Sequence, residues 1–363
     1  MGRLGHERDI DRASPTRVQM AAGVCIESVA AGQFNSGFLD SNGQLWICGA
    51  GDSGQIGDND CEPCLVPKKC NQASYKFSSM SFGDRHVAAV TDTGILMTWG
   101  SSEFGCLGYM VDETEDVNEC QREPRPVDFF HNHPVCQKVC CGERHTTVLL
   151  EDSSVWSFGS GETHQIGVFD NVDQLVPVRV KHLDSMDWKV LDLDVGNAAS
   201  MCVTNKGDTF AWGYAIESPI PKLVKPLQSV FAMQASVGSV DSVFVKTGIK
   251  QRVYSLDLFD DIVEDDSGNS VLKGIESESL AGYRLTNISA GNAHVAAINA
   301  AGSILVWDSD DMSLLGLGER PAQGFVQKPL TLPVSFHQHF TSIACGYEHT
   351  LALREDGCVY SWV

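Results

Sequence analysis

The chain repeats itself, and the repeating unit is too small to fold alone. From Gly83 to Gly108 it reads GDRHVAAVTDTGILMTWGSSEFGCLG. This is a turn at Gly83, an alternating strand from His86 to Val90, and a reversal at Thr93-Gly94. A second strand runs from Ile95 to Trp99, and Gly105-Cys106-Leu107-Gly108 turns the chain out. A two-stranded ribbon of this length cannot bury its own apolar face, so copies must stack. The frame starts again at Gly32, Gly142, Gly196, Gly238, Gly291 and Gly346. The copies are unequal: Asn35 and Ala199 stand where others have His86, His145, His294 and His349. The copy after Gly196 lacks the closing turn, and the one after Gly238 is worn. Most are followed by an extended segment bearing a proline, as at Pro67, Pro126, Pro177, Pro226 and Pro329. Each unit thus holds four strand-length pieces at intervals of roughly 40 to 60 residues, the content of a propeller blade.

The chain ends sharpen this reading. The last copy stops at Ser361-Trp362-Val363, where a Gly-x-Leu-Gly turn and a fourth strand should follow. Gly2-Arg3-Leu4-Gly5 and the segment through Pro15-Thr16-Arg17-Val18 supply both. The expected fold is all-β: a seven-bladed propeller of four-stranded blades, closed by one blade that the two termini build together. The repeat cores lie near residues 32–57, 83–108, 142–167, 196–213, 238–256, 291–318 and 346–363, the last completed by 1–18, within a single domain spanning 1–363.

These residues resemble the regulator of chromosome condensation repeat family over nearly the whole chain. The signature is Gly-x-x-His, then Asp/Asn-Gly, Trp-Gly and Gly-x-Leu-Gly. The resemblance implies a seven-bladed propeller; function is grafted onto such a scaffold and must be argued from a site. The ultraviolet-B photoreceptors of plants share the fold, but their Gly-Trp-Arg-His-Thr repeats are replaced here by Gly83-Asp84-Arg85-His86 and Gly142-Glu143-Arg144-His145.

Charge narrows the partners. The formal net charge is −21, the reverse of what phosphate contacts need, so direct nucleic-acid binding is not expected. No apolar stretch reaches membrane-spanning length, and the first residues are charged rather than a signal-peptide core. Thirteen cysteines scattered through so long a chain read as reduced thiols, hence a cytoplasmic or nuclear protein. The propeller is expected to be monomeric.

Several motifs invite chemistry and are better read as structure. Gly49-Ala50-Gly51-Asp52-Ser53-Gly54 matches a dinucleotide fingerprint, but Gln55-Ile56-Gly57-Asp58-Asn59-Asp60 cannot open the helix that a pyrophosphate needs. Cys61, Cys64 and Cys70 lack a fourth ligand. Cys140 and Cys141, near His131, His133 and Cys136, fall on a strand entering Gly142. Neither a metal nor a cofactor is expected. The four histidines recur at equivalent places, which suits a repeated hydrogen bond to neighbouring backbone rather than an asymmetric catalytic cluster. Trp46, Trp99, Trp156, Trp212, Trp307 and Trp362 read as wedges between blades.

With no catalytic residues in view, the expectation is a non-catalytic protein-interaction platform, alone or within a larger protein. The candidate partner-binding residues are those of the Gly-x-x-His turns: Asp84, Arg85, Glu143, Arg144, Asn197, Asn292, Tyr347 and Glu348. Two acidic insertions stand out, and the second adds to them. Asp112, Glu113, Glu115, Asp116 and Glu119 form one. The other has Asp257, Phe259, Asp260, Asp261, Glu264, Asp265 and Asp266, with apolar anchors that suit a basic partner surface. The alternative implied by the resemblance is guanine nucleotide exchange on a small GTPase of the Ran type. That mechanism sets the turns against the GTPase and inserts a β-wedge between Trp-Gly and the closing Gly-x-x-Gly. Gly100 to Gly105 and Gly159 to Gly167 hold only ordinary spacers, so no wedge is expected.

Overall fold

A computed structural model of the chain describes all residues except 1, 72–74, 112–119, 185–186, 217, 225–231, 239–240, 247–251, 258–261, 265–269, 273–274, 277–279, 281, 308, 310, 319–325, 327–328 and 334–338. Among the described residues the strands form seven four-stranded antiparallel sheets and one separate two-stranded ribbon. Blade 2 shows the plan: Phe77–Phe82, His86–Thr91, Leu96–Ser101 and Cys120–Pro126, from the axis outward. Blade 1 starts at Ile26–Ala31, blade 3 at Cys136–Cys141, blade 4 at Val190–Val195, blade 5 at Ala232–Val237, blade 6 at Leu285–Ala290 and blade 7 at Phe340–Cys345. The fourth strand of blade 7 is Thr16–Arg17, with Thr16 opposite Ser361 and Arg17 opposite Tyr360. The Ser361 hydroxyl also donates to the Leu4 carbonyl at 2.7 Å. The termini therefore build one blade between them, as expected.

Prolines sit on the outermost strands, where a missing N–H breaks no ladder. Pro67 and Pro177 lie in Cys64–Lys69 and Gln174–Arg179. Blade 4 departs from the expected marker: its fourth strand is Ser218–Leu223, with Pro219 and Pro221, and Pro226 lies outside the described residues.

The core is a ring of seams between blades. Second strands such as His86–Thr91, His145–Leu150 and Ala199–Thr204 are buried along their whole length, because each has a blade on either side. The tryptophans divide into two sets, which corrects the sequence reading. Trp99, Trp212 and Trp362 are fully buried, and their Nε1 groups donate to carbonyls in the exit turn of the preceding blade: Gln55 at 2.9 Å, Gln165 at 3.0 Å and Leu314 at 3.2 Å. Trp307 is buried at the same position, next to where the Gly of Trp-Gly would stand. Trp46 and Trp156 sit two residues earlier on their strands and are only partly buried. The wedge position in those blades holds Cys48 and Phe158. Trp46 instead donates to Asp40 at 3.0 Å, and Trp156 packs edge-on against Phe129 and Phe130.

No helix among the described residues is long and apolar enough to cross a membrane.

Candidate partner-docking face

Each first strand runs up to its Gly-x-x-His turn, and each third strand returns to the same level. In blade 2 His86 is opposite Gly100, and Ser101 is opposite Cys120. One face therefore carries the turns together with every connection from a third to a fourth strand. At the axis of this face the rim glycines crowd together. A Cβ on Gly83 would lie 2.3 Å from the His86 ring and 2.6 Å from the Gly142 carbonyl oxygen, so only glycine lets neighbouring blades meet. In blades 2, 3 and 7 the residue after the rim glycine joins its backbone to the next blade: Asp84 N–H to Glu143 O at 3.2 Å, Glu143 N–H to Asn197 O at 3.1 Å, and Tyr347 N–H to Gly32 O at 3.2 Å. These turns frame a central channel of about 210 Å³ lined by all seven blades.

The histidines stand just below this rim. The imidazoles of His86, His145, His294 and His349 reach, through Nε2, the hydroxyls of Thr146, Ser200, Thr350 and Ser36 at 2.8–2.9 Å. Each partner belongs to the next blade and directly follows its histidine position. Three of these hydroxyls donate onward to an exit-turn carbonyl of the blade that supplied the histidine: Thr146 to Cys106, Ser200 to Gln165 and Ser36 to Arg3. Because those hydroxyl protons are spent on carbonyls, the Nε2–H must be the donor to the hydroxyl, which fixes the tautomer. The sequence reading of a structural bond holds, with one change: the imidazole reaches backbone through a hydroxyl relay. Burial pushes the four imidazoles down, to about 4 for His86 and His294 and about 3 for His145 and His349. All four are neutral at pH 7 and play no acid–base part.

Of the eight turn residues singled out from sequence, Asp84, Glu143, Asn197, Asn292 and Tyr347 line the channel mouth. Asp84, Arg85, Glu143 and Arg144 also wall a groove of about 340 Å³ between blades 2 and 3, with Glu103 and Phe104 opposite. The cations here are already engaged. Arg144 Nε is 3.1 Å from Glu143 and its guanidinium lies 5.0 Å above the Phe104 ring. Arg85 is 3.9 Å from Asp52, and Arg3 pairs with Glu348 at 2.9 Å. Asp84 is not so served: its Oδ1 is buried and meets no hydrogen-bond partner among the described residues. Burial, then the Glu143 carboxylate, push its carboxyl above the usual range. Phe104 holds φ at 60°, a left-handed backbone that a bulky side chain seldom adopts. Sequence reasoning missed Phe104 and Glu103, which look like spacer, and Gln33, which occupies the turn position of blade 1 and lines the mouth.

The cysteines proposed and set aside as ligands are used structurally. Cys70 and Cys140 are buried, with thiols donating to the Gly57 and Leu193 carbonyls. His133 stacks on Phe129 with ring centroids 5.0 Å apart.

The acidic insertions are only partly described. Residues 112–119 lie outside the described residues, as do Phe259, Asp260, Asp261, Asp265 and Asp266. Asp257 ends the third strand of blade 5, Arg252–Asp257. Glu264 ends Ile262–Glu264, which pairs with Ser270–Leu272 as the separate ribbon. The fourth strand, Ile275–Glu276, follows. Blade 5 thus carries a two-stranded ribbon in the connection between its third and fourth strands, on the face of the Gly-x-x-His turns. The expectation of no wedge rests on Gly100 to Gly105 and Gly159 to Gly167 alone; the worn blade 5 lacks the Trp-Gly and closing turn that would have marked its connection for the same comparison.

A seven-bladed ring closed by its own termini, with glycine-rimmed turns converging on one face, defines a closed β-propeller. Two models, both described as Regulator of chromosome condensation (RCC1) repeat, match residues 42–90, 93–149 and 152–203, and residues 77–106 and 340–362. The chain belongs to the RCC1 repeat family, as an RCC1-like propeller. It is 30% identical over 237 residues to the ultraviolet-B receptor UVR8 of Arabidopsis thaliana, covering 62% of this chain and 52% of that protein. It is 25% identical over 358 residues to the human E3 ubiquitin-protein ligase HERC2, covering 97% of this chain and 6% of HERC2. The chain therefore spans about half or less of these relatives. Among solved structures, human WBSCR16 superposes with a TM-score of 0.77 at 19% identity, over 94% of this chain and 90% of its own. Prp20p of Saccharomyces cerevisiae gives 0.71 at 18%, over 93% and 82%; that structure is reported together with binding properties to Gsp1p and histones.

Proposed function

We propose that this chain is a protein-docking platform whose partner sits on the channel-mouth face and presents a basic surface. The observation that carries the reading is the charge balance of that face. Arg3, Arg85 and Arg144 are each paired with a carboxylate of this chain, while the half-buried Asp84 has an oxygen with no partner among the described residues. A buried carboxylate oxygen left without a hydrogen-bond partner costs stability, even with Arg85 and Arg144 acting on the group, and a cationic side chain from outside would relieve it. The overall charge of −21 would speed the approach of such a partner. Relatives such as HERC2, of which this chain matches a small part, suit a platform that works inside larger proteins. The test is the pair Asp84→Lys with Glu143→Lys, assayed against a captured partner. Loss of binding with the fold intact supports the reading; unchanged affinity moves the contact to another surface.

The ribbon of blade 5 favours a second reading, nucleotide exchange on a Ran-type GTPase. It stands in the connection where the family resemblance puts a β-wedge, on the same face as the turns. The likeness to Prp20p, reported with binding to Gsp1p, points the same way. Release of a fluorescent GDP analogue, with this protein at catalytic amounts, separates the two. Strong acceleration establishes exchange, and its absence leaves the platform. An exchange factor should also hold the nucleotide-free GTPase most tightly, whereas a platform is indifferent to nucleotide.

A further inference from the structure

The first strands meet around the axis without a shared ladder, so side chains must satisfy their facing N–H groups. The residue two before the rim glycine does this at several seams. Ser81 accepts from Cys141 N–H at 2.9 Å, Ser236 from Ala290 N–H at 3.0 Å and Ser289 from Cys345 N–H at 2.9 Å. Blade 4 places a carboxylate there instead. Asp194 takes this place and accepts from Val237 N–H of blade 5 at 2.8 Å, and Asp192 accepts from Ala235 N–H at 3.3 Å. Asp192 is also 2.6 Å from the Lys138 ammonium of blade 3. The same seam cannot form a histidine relay, because Ala199 occupies the histidine position of blade 4. Nor can the far side of blade 5: Asp241 takes the histidine place and Val295 the hydroxyl place.

We propose that the seam between blades 4 and 5 is a proton-responsive joint, in which the charge on Asp194 sets how firmly blade 5, with its ribbon, is held in the ring. The groups facing Asp194 are Lys138 and Cys140 of blade 3, Asp192 on its own strand, and the N–H groups of blade 5. Lys138 is the one cation among them and it is shared by two carboxylates, so a negative charge on Asp194 is underpaid. Burial accordingly raises the Asp194 carboxyl to about 6 against Lys138, which lowers it. The sign follows. The closed seam binds a proton that the open, solvated seam releases, so closure strengthens as pH falls towards 5 and weakens towards 7. A serine here, as in blades 2, 5 and 6, would be indifferent to pH.

Amide hydrogen exchange tests this at Ala235 and Val237, with Cys141 and Cys345 as controls at serine-held seams, near pH 7.5 and pH 5 and corrected for intrinsic rates. Protection at Ala235 and Val237 should rise about 10-fold at the lower pH relative to the controls. Asp194→Asn should show the acid level of protection at both pH values. Lys138→Gln should lower protection at pH 7.5 and leave it near wild type at pH 5. An equal response at all four amides, or an unchanged response in either variant, overturns the proposal.

Discussion

The Nε2 nitrogen of His86 lies 2.9 Å from the Thr146 hydroxyl of the next blade, and that hydroxyl donates back to the Cys106 carbonyl of the first. The bond crosses a seam and returns, so each partner is satisfied only while two blades stay docked. Thr146→Val would leave both the imidazole N–H and the Cys106 carbonyl buried without this hydroxyl. It is expected to cost about 1–3 kcal/mol, read from urea unfolding. His86→Ala should cost more, because a buried ring is lost as well. A double-mutant cycle should give a coupling of about 1 kcal/mol or more. Simple additivity would mean that the relay does not bind the blades together.

Acid should loosen the propeller through these same rings. Their folded values near 3 to 4 lie below the ordinary 6.5, so the unfolded chain takes up protons that the folded chain refuses. The stability they contribute is complete above pH 6.5 and is lost as pH falls through 4 and then 3, by about 3 kcal/mol at the limit for His86 and His294 and about 5 kcal/mol for His145 and His349. Asp194 works against this trend between its ordinary 3.8 and about 6. The urea midpoint should therefore drop between pH 7 and 5. His145→Asn, borrowing the residue that blade 1 uses at Asn35, should flatten the drop, and Asp194→Asn should steepen it. Equal slopes in the three proteins would contradict the assignment.

Two glycines separate backbone strain from steric conflict. Gly23 and Gly167 share φ values of +83° and +80°, so an alanine at either pays for a left-handed backbone. At Gly23 nothing lies within 4 Å of the new Cβ, whereas at Gly167 it would meet the Trp212 indole at 2.7 Å. Gly23→Ala should cost about 1 kcal/mol and Gly167→Ala at least about 2 kcal/mol more, since Trp212 also holds the Gln165 carbonyl. Matching unfolding midpoints would show that Trp212 can shift freely.

How much of this was legible in the sequence depended on whether a feature repeats. The Gly-x-x-His frame and the split blade at Gly2-Arg3-Leu4-Gly5 follow from periodicity, which samples the same local geometry seven times. The relay partners were legible as well, though only across units. His86, His145, His294 and His349 are each followed, one blade later, by Thr146, Ser200, Thr350 or Ser36, while Val87 follows the unit with Asn35. Tryptophan position misled, because Trp46 and Trp156 carry the right residue two places from the wedge that Cys48 and Phe158 fill. The ribbon of blade 5 and the Phe104 wall of the groove occur once each. A single occurrence has no period to reveal it.

Asp84 offers a test in which stability and docking should move in opposite directions. Its Oδ1 is buried without a partner among the described residues, and its carboxyl is raised first by burial and then by Glu143. A raised carboxyl makes the folded state less favourable as pH climbs above the ordinary 3.8, so at pH 7 the charge on Asp84 is a liability. Asp84→Asn keeps the shape and removes that charge. The thermal midpoint at pH 7 should rise, and the gain should shrink as acid protonates the wild-type carboxyl. If the face receives a basic partner, the same variant should bind it more weakly and with a shallower salt dependence. A site kept at a cost to the fold gives this pattern of gained stability and lost affinity. If Asp84→Asn instead lowers the midpoint at pH 7, Asp84 is a structural residue and the docking reading loses its main support.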